Sequence, residues 1–539
     1  MKAGAVWLLA AVPLLSGAAD APWSRGLESI RETDLRADLA FLTSDALEGR
    51  LSLHRGSEVA IGFVAAEFAK AGLVPLAGGS FLQTVPLIEY RVDPEGTRLS
   101  LTRHGITRTF RYLEEFSGGE PDEANVEAPV VFAGYGITAP EFGYDDYAGI
   151  DVRGKIVLVF EHEPQENDPK SIFNGLGNTR YASAGVKARN AKRHGAVGLL
   201  LAAEPNRKHP SGADRLKRSP GGAERLRRLL PQALGDTTGQ IPALTVTDEV
   251  AAELFSTVGK KPAELQAAID KALRPASAPL PDTRVSMRIA LAERRRGNSA
   301  NAIGILEGRD PTLRDEAILF SGHYDHDGMW DGHLRPGADD NGSGSVGVLA
   351  LARAYARNPL RPKRSLIFAE FAAEERGLLG AYYYAAHPLR PLERLRAVLN
   401  FDMIGRNETP SRQTEGLIDI APDTSNELNL IGTINCPDVR RTVEEQNREI
   451  GLKLNYKWDQ DAALNIFQRS DQFPFALRNI PAVWWFTGFH PDYHQTTDTV
   501  EKINFSKMER ILKLAYLSGW ALAEQDRPPK FIDRPGSSE

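Results

Sequence analysis

The chain has almost no cysteine: Cys436 stands alone among 539 residues. A single thiol excludes an internal disulfide, so stability must come from core packing or bound metal. Cys436 reads as a bystander, and any catalysis must come from carboxylates, histidines and hydroxyls. A strong charge of either sign is missing too. Lys and Arg number 65 against 71 Asp and Glu, a net charge of −6, which gives no case for nucleic acid or an anionic membrane as partner. After the N-terminal residues no apolar run is long enough to cross a bilayer.

What is present begins with a secretory pattern. Lys2 supplies a positive n-region and Ala5 to Leu15 an apolar core too short to span a membrane. Ala19-Asp20-Ala21 or Ser16-Gly17-Ala18 would serve as cleavage box, and no cysteine follows to carry a lipid anchor. The expectation is a secreted or periplasmic protein with residues 1–21 removed and no membrane contact afterwards. The length predicts two or three domains. Nothing in the sequence points to an oligomeric state.

Leu35–Leu73 is expected to be helical, with Val59, Phe63 and Ala66 at helical spacing and Gly72 as C-cap. Residues 81–112 alternate in the manner of strands. The acidic Gly/Pro segment Ser117–Asn125 marks a boundary. Beyond it come the Gly-Tyr-Gly turn at 134–136, Asp151-Val152-Arg153-Gly154-Lys155 leading into Ile156–Phe160, and the strands Ala196–Leu201 and Ile241–Val246. This pattern resembles the protease-associated (PA) domain, a small β-rich module, and offers no catalytic set. The basic stretches Arg215–Arg228 and Arg294–Arg296 read as solvated charge.

From Asn301 strands alternate with helices, which implies a largely parallel sheet covered on both faces. Buried-type strands are Ala317–Phe320, Leu366–Phe371, Ala397–Phe401 and Ala482–Phe486. Helices are expected at 343–357 and 376–387, and a last one from Ser506, with Glu509 completing a capping box. The expected organisation is a signal at 1–21, an N-terminal part of the main domain at 22–125, the insert at 126–275, the main domain at 276–525 and a disordered tail at 526–539.

Each of the four strands ends in metal-type ligands: His323 with Asp340 across a loop, Glu374-Glu375, Asp402, and the loop bearing Tyr493-His494. In open α/β sheets sites form at the carboxyl ends of strands, so these segments can converge. Imidazole mixed with carboxylate suits zinc. This many ligands over-supplies one metal and serves two that share a bridging carboxylate. Two such cations can bind one hydroxide and clamp a developing oxyanion, and one adjacent carboxylate must stay uncoordinated to take the proton. The pair Glu374-Glu375 fits that division.

At this point the chain resembles metallopeptidase family 28, the cocatalytic-zinc aminopeptidases, over 301–505 and more loosely over 35–75 through Leu47-Glu48-Gly49-Arg50. The resemblance implies a zinc aminopeptidase-like α/β fold, a mostly parallel mixed sheet, with the PA-like domain inserted. It implies two zinc ions, replaceable by cobalt or manganese: His323 and Asp402 hold one, Glu375 and His494 the other, and Asp340 bridges. It further implies Glu374 as general base, Asp325 as the carboxylate orienting His323, Tyr493 as oxyanion donor, and a cis peptide at Asp340-Asn341. The substrate implied is a peptide, cut at its N-terminal residue by a metal-bridged hydroxide. Ser470-Asp471-Gln472 stands where the family often shows Ser-Asp-His. His326, His333 and His490 are left as non-ligands, since the ligands already named satisfy two zincs.

Rival readings are a carboxypeptidase or dipeptidase on the same scaffold, glutaminyl-cyclase-like acyl transfer, and a catalytically silent receptor-like binding protein. Gly342-Ser343-Gly344-Ser345-Val346-Gly347 is formally a dinucleotide fingerprint. It begins too far beyond the preceding strand for that role, and reads as a tight entry into a helix.

Overall fold

The structure is a computed structural model that describes residues 21–532 except 220, 222–223, 226–227 and 236–239. The expected signal segment through residue 20, and residues 533–539, lie outside the described part.

A mixed ten-stranded sheet forms the larger body. At its centre Ser365–Phe371, Ala317–His323, Leu395–Phe401 and Ala482–Phe486 lie side by side and parallel. Antiparallel strands flank them, Leu291–Leu306 on one side and Glu427–Ile431 on the other. Side chains alternate between the two faces of a strand. Ile318 and Phe320 therefore pack with the helices Glu32–Leu42, Arg55–Lys70, Gly344–Ala356 and Phe505–Glu524. Ala317 and Leu319 pack on the opposite face with Ala381 and Tyr384 of Leu379–Ala386. Burial on both faces explains why these strands carry apolar residues at successive positions and not only at alternate ones. No described helix is long and apolar enough to cross a membrane.

Three local expectations change. The single helix expected over 35–73 is two helices, broken where Glu48 and Gly49 take positive φ angles of 51° and 69°. The inward stripe of the second is Ala60, Ile61, Val64 and Phe68, while Val59 is 41% exposed. The final helix starts at Phe505, capped by Asn504, whose side chain accepts the Lys507 N–H at 3.1 Å. Glu509 makes no capping box; its carboxylate accepts the Glu32 N–H at 2.9 Å and so ties helix Glu32–Leu42 to the last one.

The second body is an eight-stranded sheet with the order Ile106–Phe110, Arg98–Arg103, Ala278–Ile289, Ala124–Phe132, Ile156–Phe160, Gly198–Ala202, Ala243–Val246 and Phe116–Ser117. It therefore begins near residue 98, earlier than the break expected at 126. Alternation alone does not tell which sheet a strand will join, and the partner here, Ala278–Ile289, lies far along the chain. Only Ala290 separates Ala278–Ile289 from Leu291–Leu306 in the larger sheet. A further strand, Gln232–Leu234, crosses back and pairs with Leu82–Val92 at the larger sheet's edge. The tail is held as far as Ile532, whose backbone N–H meets Asn435 O at 2.8 Å, and Phe531 packs on the core.

Candidate metal centre

The carboxyl ends of the four central strands deliver their polar residues to one place. His323 is the last residue of its strand and Asp402 follows Phe401 directly. Glu374 and Glu375 sit in a short turn after Phe371, and His494 lies in the loop beyond Phe486. Asp340 belongs to the turn before helix Gly344–Ala356, and its peptide bond to Asn341 is cis. Asn341 ties this turn to the strand carrying Asp402: its amide donates to Phe401 O at 2.9 Å and its oxygen accepts the Gly344 and Met403 N–H groups. Gly344 has to be glycine here, because a Cβ would lie 2.1 Å from Phe401 O. That close approach accounts for the central glycine of the run.

Two groups of ligand atoms share Asp340. In the first, His323 Nε2 lies 3.6 Å from Asp340 Oδ1 and 3.6 Å from Asp402 Oδ2; Glu374 Oε2, outside this group, stands 3.7 Å from the same nitrogen. In the second, His494 Nε2 lies 3.0 Å from Asp340 Oδ2 and 3.5 Å from Glu375 Oε2. His323 Nε2 is buried and has no hydrogen-bond partner. Most of these separations are too long for hydrogen bonds. They are close to the roughly 3.4 Å edge between ligands of one tetrahedral cation with bonds of about 2.1 Å. The donor set thus fits two divalent cations sharing one carboxylate. Asp339 is turned elsewhere, accepting the Gly405 N–H at 2.7 Å and facing His490 at 3.1 Å.

Charge in the site is unbalanced toward carboxylate. Burial would lower His323, but Glu374 and Asp402 hold its pKa well above the ordinary value. Against the same cost of burial, Glu375 and Asp327 push His494 up to about 9. Burial, with Asp402, Asp471 and Glu375 nearby, lifts Glu374 well above the usual carboxylate range. Asp340 goes the other way: although burial opposes it, His494 holds this carboxyl below the usual range. Bound cations would meet the same demand for positive charge.

The outer contacts differ from expectation at one histidine. Asp325 does not hydrogen-bond His323 through its carboxylate, which stands 3.8 Å from Nδ1. Its backbone carbonyl takes that nitrogen at 3.2 Å, and Oδ1 accepts the Glu374 N–H at 3.0 Å. Asp325 thus positions both residues by other atoms. The carboxylate–imidazole pair occurs instead at His494, where Nδ1 meets Asp327 Oδ2 at 2.7 Å. Asp402 accepts from Ser470 Oγ at 2.5 Å, and buried Asp471 next to it has no partner on either oxygen. Tyr493 is half-buried, and Arg469 donates to its hydroxyl at 3.3 Å.

Several residues of the site were not assigned from sequence. His326 faces Glu375 at 2.7 Å and Asp340 at 4.0 Å, inside the second group, whereas His333 is exposed. The position of His326 one residue after Asp325 was the available signal. Arg225, expected in solvated charge, donates to both Asp327 oxygens at 2.6 Å and to Glu375 at 2.9 Å. Buried Arg50 donates to Pro336 O and Gly337 O under the Asp340 turn. A cleft of about 250 Å³ opens over these groups, lined by Arg225, Glu374, Gln468, Arg469, Tyr493 and His494 among others.

Comparison with known proteins yields two matches along the chain. Residues 301–517 match Peptidase family M28 and residues 126–254 match the PA domain. Leucine aminopeptidase 2 of Trichophyton rubrum is 28% identical over 225 residues, 38% of this chain and 41% of that protein. Aminopeptidase YwaD of Bacillus subtilis (strain 168) is 25% identical over 243 residues, 44% of this chain and 47% of that protein. The matched region thus spans less than half the length of either relative. An aminopeptidase structure from Aneurinibacillus sp. strain AM-1 aligns over 95% of this chain and 98% of its own, with 19% identity and a TM-score of 0.49.

Proposed function

We propose that this chain, which belongs to peptidase family M28 through residues 301–517 and carries a PA domain over residues 126–254, is an exported two-zinc aminopeptidase. The observation that carries the reading is the pair of buried ligand groups meeting at Asp340, with Glu374 beside them and free of either group. His323 and Asp402 would hold one zinc, Glu375 and His494 the other, and Asp340 both. His326 stands within reach of the second. When bound, the cations supply Lewis-acid polarisation of the scissile carbonyl and acidify water.

The chain's own residues do the rest. Glu374 takes the proton of the attacking water and returns it to the leaving amine, a task suited to a carboxylate whose proton affinity burial has raised. Tyr493 donates a hydrogen bond from its hydroxyl to the oxyanion, with the Arg469 guanidinium on its oxygen turning the O–H outward. Asp327 holds His494 in the tautomer that directs Nε2 inward. The substrate is a peptide with a free N-terminus, and the names of the relatives favour an apolar first residue.

Arg469 supports a second reading. Its guanidinium lines the cleft and would pair with the carboxylate of a very short peptide, as a dipeptidase requires. A panel of leucyl peptides separates the two, with N-terminal acetylation and C-terminal amidation as the variables. For an aminopeptidase, acetylation abolishes cleavage and amidation leaves it. Cleavage of acetylated peptides, or indifference to chelator, rejects the reading.

A further inference from the structure

The second body carries a polar cluster that peptide hydrolysis does not use. Strands Ile156–Phe160 and Gly198–Ala202 run parallel and end side by side, and just past their ends stand His162, Glu166, Glu204 and His209. One ligand atom from each lies within 4.8 Å of all the others. His162 Nδ1 is 2.7 Å from Glu204 Oε1, 2.6 Å from His209 Nε2 and 3.3 Å from Glu166 Oε2. His209 Nε2 is 3.3 Å from the same Glu166 oxygen and closer still to Glu204 Oε1.

A network of protons alone serves this geometry poorly. Two imidazole nitrogens that face each other at such a distance share at most one proton. The carboxylates meanwhile hold oxygens in reserve: Glu166 Oε2 and Glu204 Oε2 are buried without a hydrogen-bond partner, on residues only 6% and 0% exposed. The outward nitrogen of His209 is tied as in a metal-bound imidazole. Its Nδ1 donates to Pro210 O at 2.9 Å, which leaves the Nε2 lone pair for the centre, while His162 Nε2 lies 2.8 Å from the Asn465 side-chain nitrogen.

We propose that His162, Glu166, Glu204 and His209 form a third metal site, structural rather than catalytic, for a divalent cation of the zinc class. Two imidazoles and two carboxylates make a closed tetrahedral set with no position left for substrate, and the carboxylates neutralise the ion. The site faces the larger body. Asn465 belongs to the loop that continues into Gln468 and Arg469 of the cleft wall, and Gln468 donates to Thr179 O of the insert at 3.3 Å. The bound ion therefore fixes the insert against that wall.

The test uses the full chain loaded with zinc and freed of excess. Wild type retains about three zinc equivalents, and Glu204→Gln or His209→Asn retains about two while still cleaving a leucyl substrate. A wild type that holds no more than two, or folded variants that keep three, overturns the site. Should the variants fail to fold, anomalous diffraction at the zinc edge decides on wild-type crystals. A peak between His162 and Glu204 supports the site. A peak only at Asp340 overturns it, and a peak only in the insert would overturn the peptidase centre instead.

Discussion

Replacing Glu374 by Gln removes a proton acceptor and almost nothing else. The side chains are isosteric, so the shape of the 30 Å³ pocket formed with Asp340, Glu375, Asp402 and Tyr493 is kept. Glu374 Oε2 stands 3.7 Å from His323 Nε2, outside the ligand groups that share Asp340, and its backbone N–H remains on Asp325. Metal affinity should therefore survive. Positioned general bases contribute about 10²–10⁴ in rate, or roughly 3–5.5 kcal/mol of barrier. Loss of the carboxylate should lower kcat by that factor on leucine p-nitroanilide, with KM nearly unchanged, because the acceptor acts in the transition state and not in binding. The assay pairs steady-state kinetics with metal analysis of the same preparation. A variant within about threefold of wild-type turnover refutes the base assignment. A variant that loses turnover and metal together identifies Glu374 as a ligand, which refutes it equally.

Tyr493→Phe should reduce kcat by about 10²–10³ without loss of metal, the usual effect of deleting one oxyanion donor; unchanged kcat would remove Tyr493 from the mechanism. Gly344→Ala drives a methyl onto Phe401 O, so the Asp340 turn must separate from the Asp402 strand. We expect destabilisation of about 1–3 kcal/mol in urea unfolding together with weaker metal retention, and a variant as stable as wild type would contradict the close approach. Lys507 is buried, which lowers its pKa to about 8 from 10.5. Between those values the unfolded chain holds a proton that the folded chain has lost, so stability rises with pH across this window, by at most about 1.4 kcal/mol per unit. Lys507→Met should flatten that slope relative to wild type when urea midpoints are compared at pH 8 and pH 10.

Much of the centre was legible because its chemistry sits where the pattern of the sheet breaks. An apolar strand that stops at His323, Asp402 or Glu374 announces both an element and a site, and neither inference needs long-range information. His326 and Asp327 were harder, since adjacency to a ligand does not say which way a loop residue turns. Arg225 was out of reach. Its neighbours are as charged as any solvated loop, and only the return of Gln232–Leu234 to the larger sheet brings it over the cleft. The helix stripe failed at Val59 for a similar reason, because an apolar residue at helical spacing is buried only if its face meets another element. Asn504 won the last helix start over Ser506 because its side chain reaches Lys507 N–H while Glu509 is drawn off by Glu32.

The strand Gln232–Leu234 also has a protective effect. It occupies backbone groups of Leu87, Ile88 and Glu89 that would otherwise form an open border of the larger sheet. Bare borders of this kind recruit other chains. Cutting out the insert at its sequence boundaries would uncover this border and remove Arg225 in the same stroke. Truncated forms should then fail first by self-association, with the proposed metal ligands of the larger body still in place. The module that can be detached in a sequence diagram is, in the folded chain, a seal on its host.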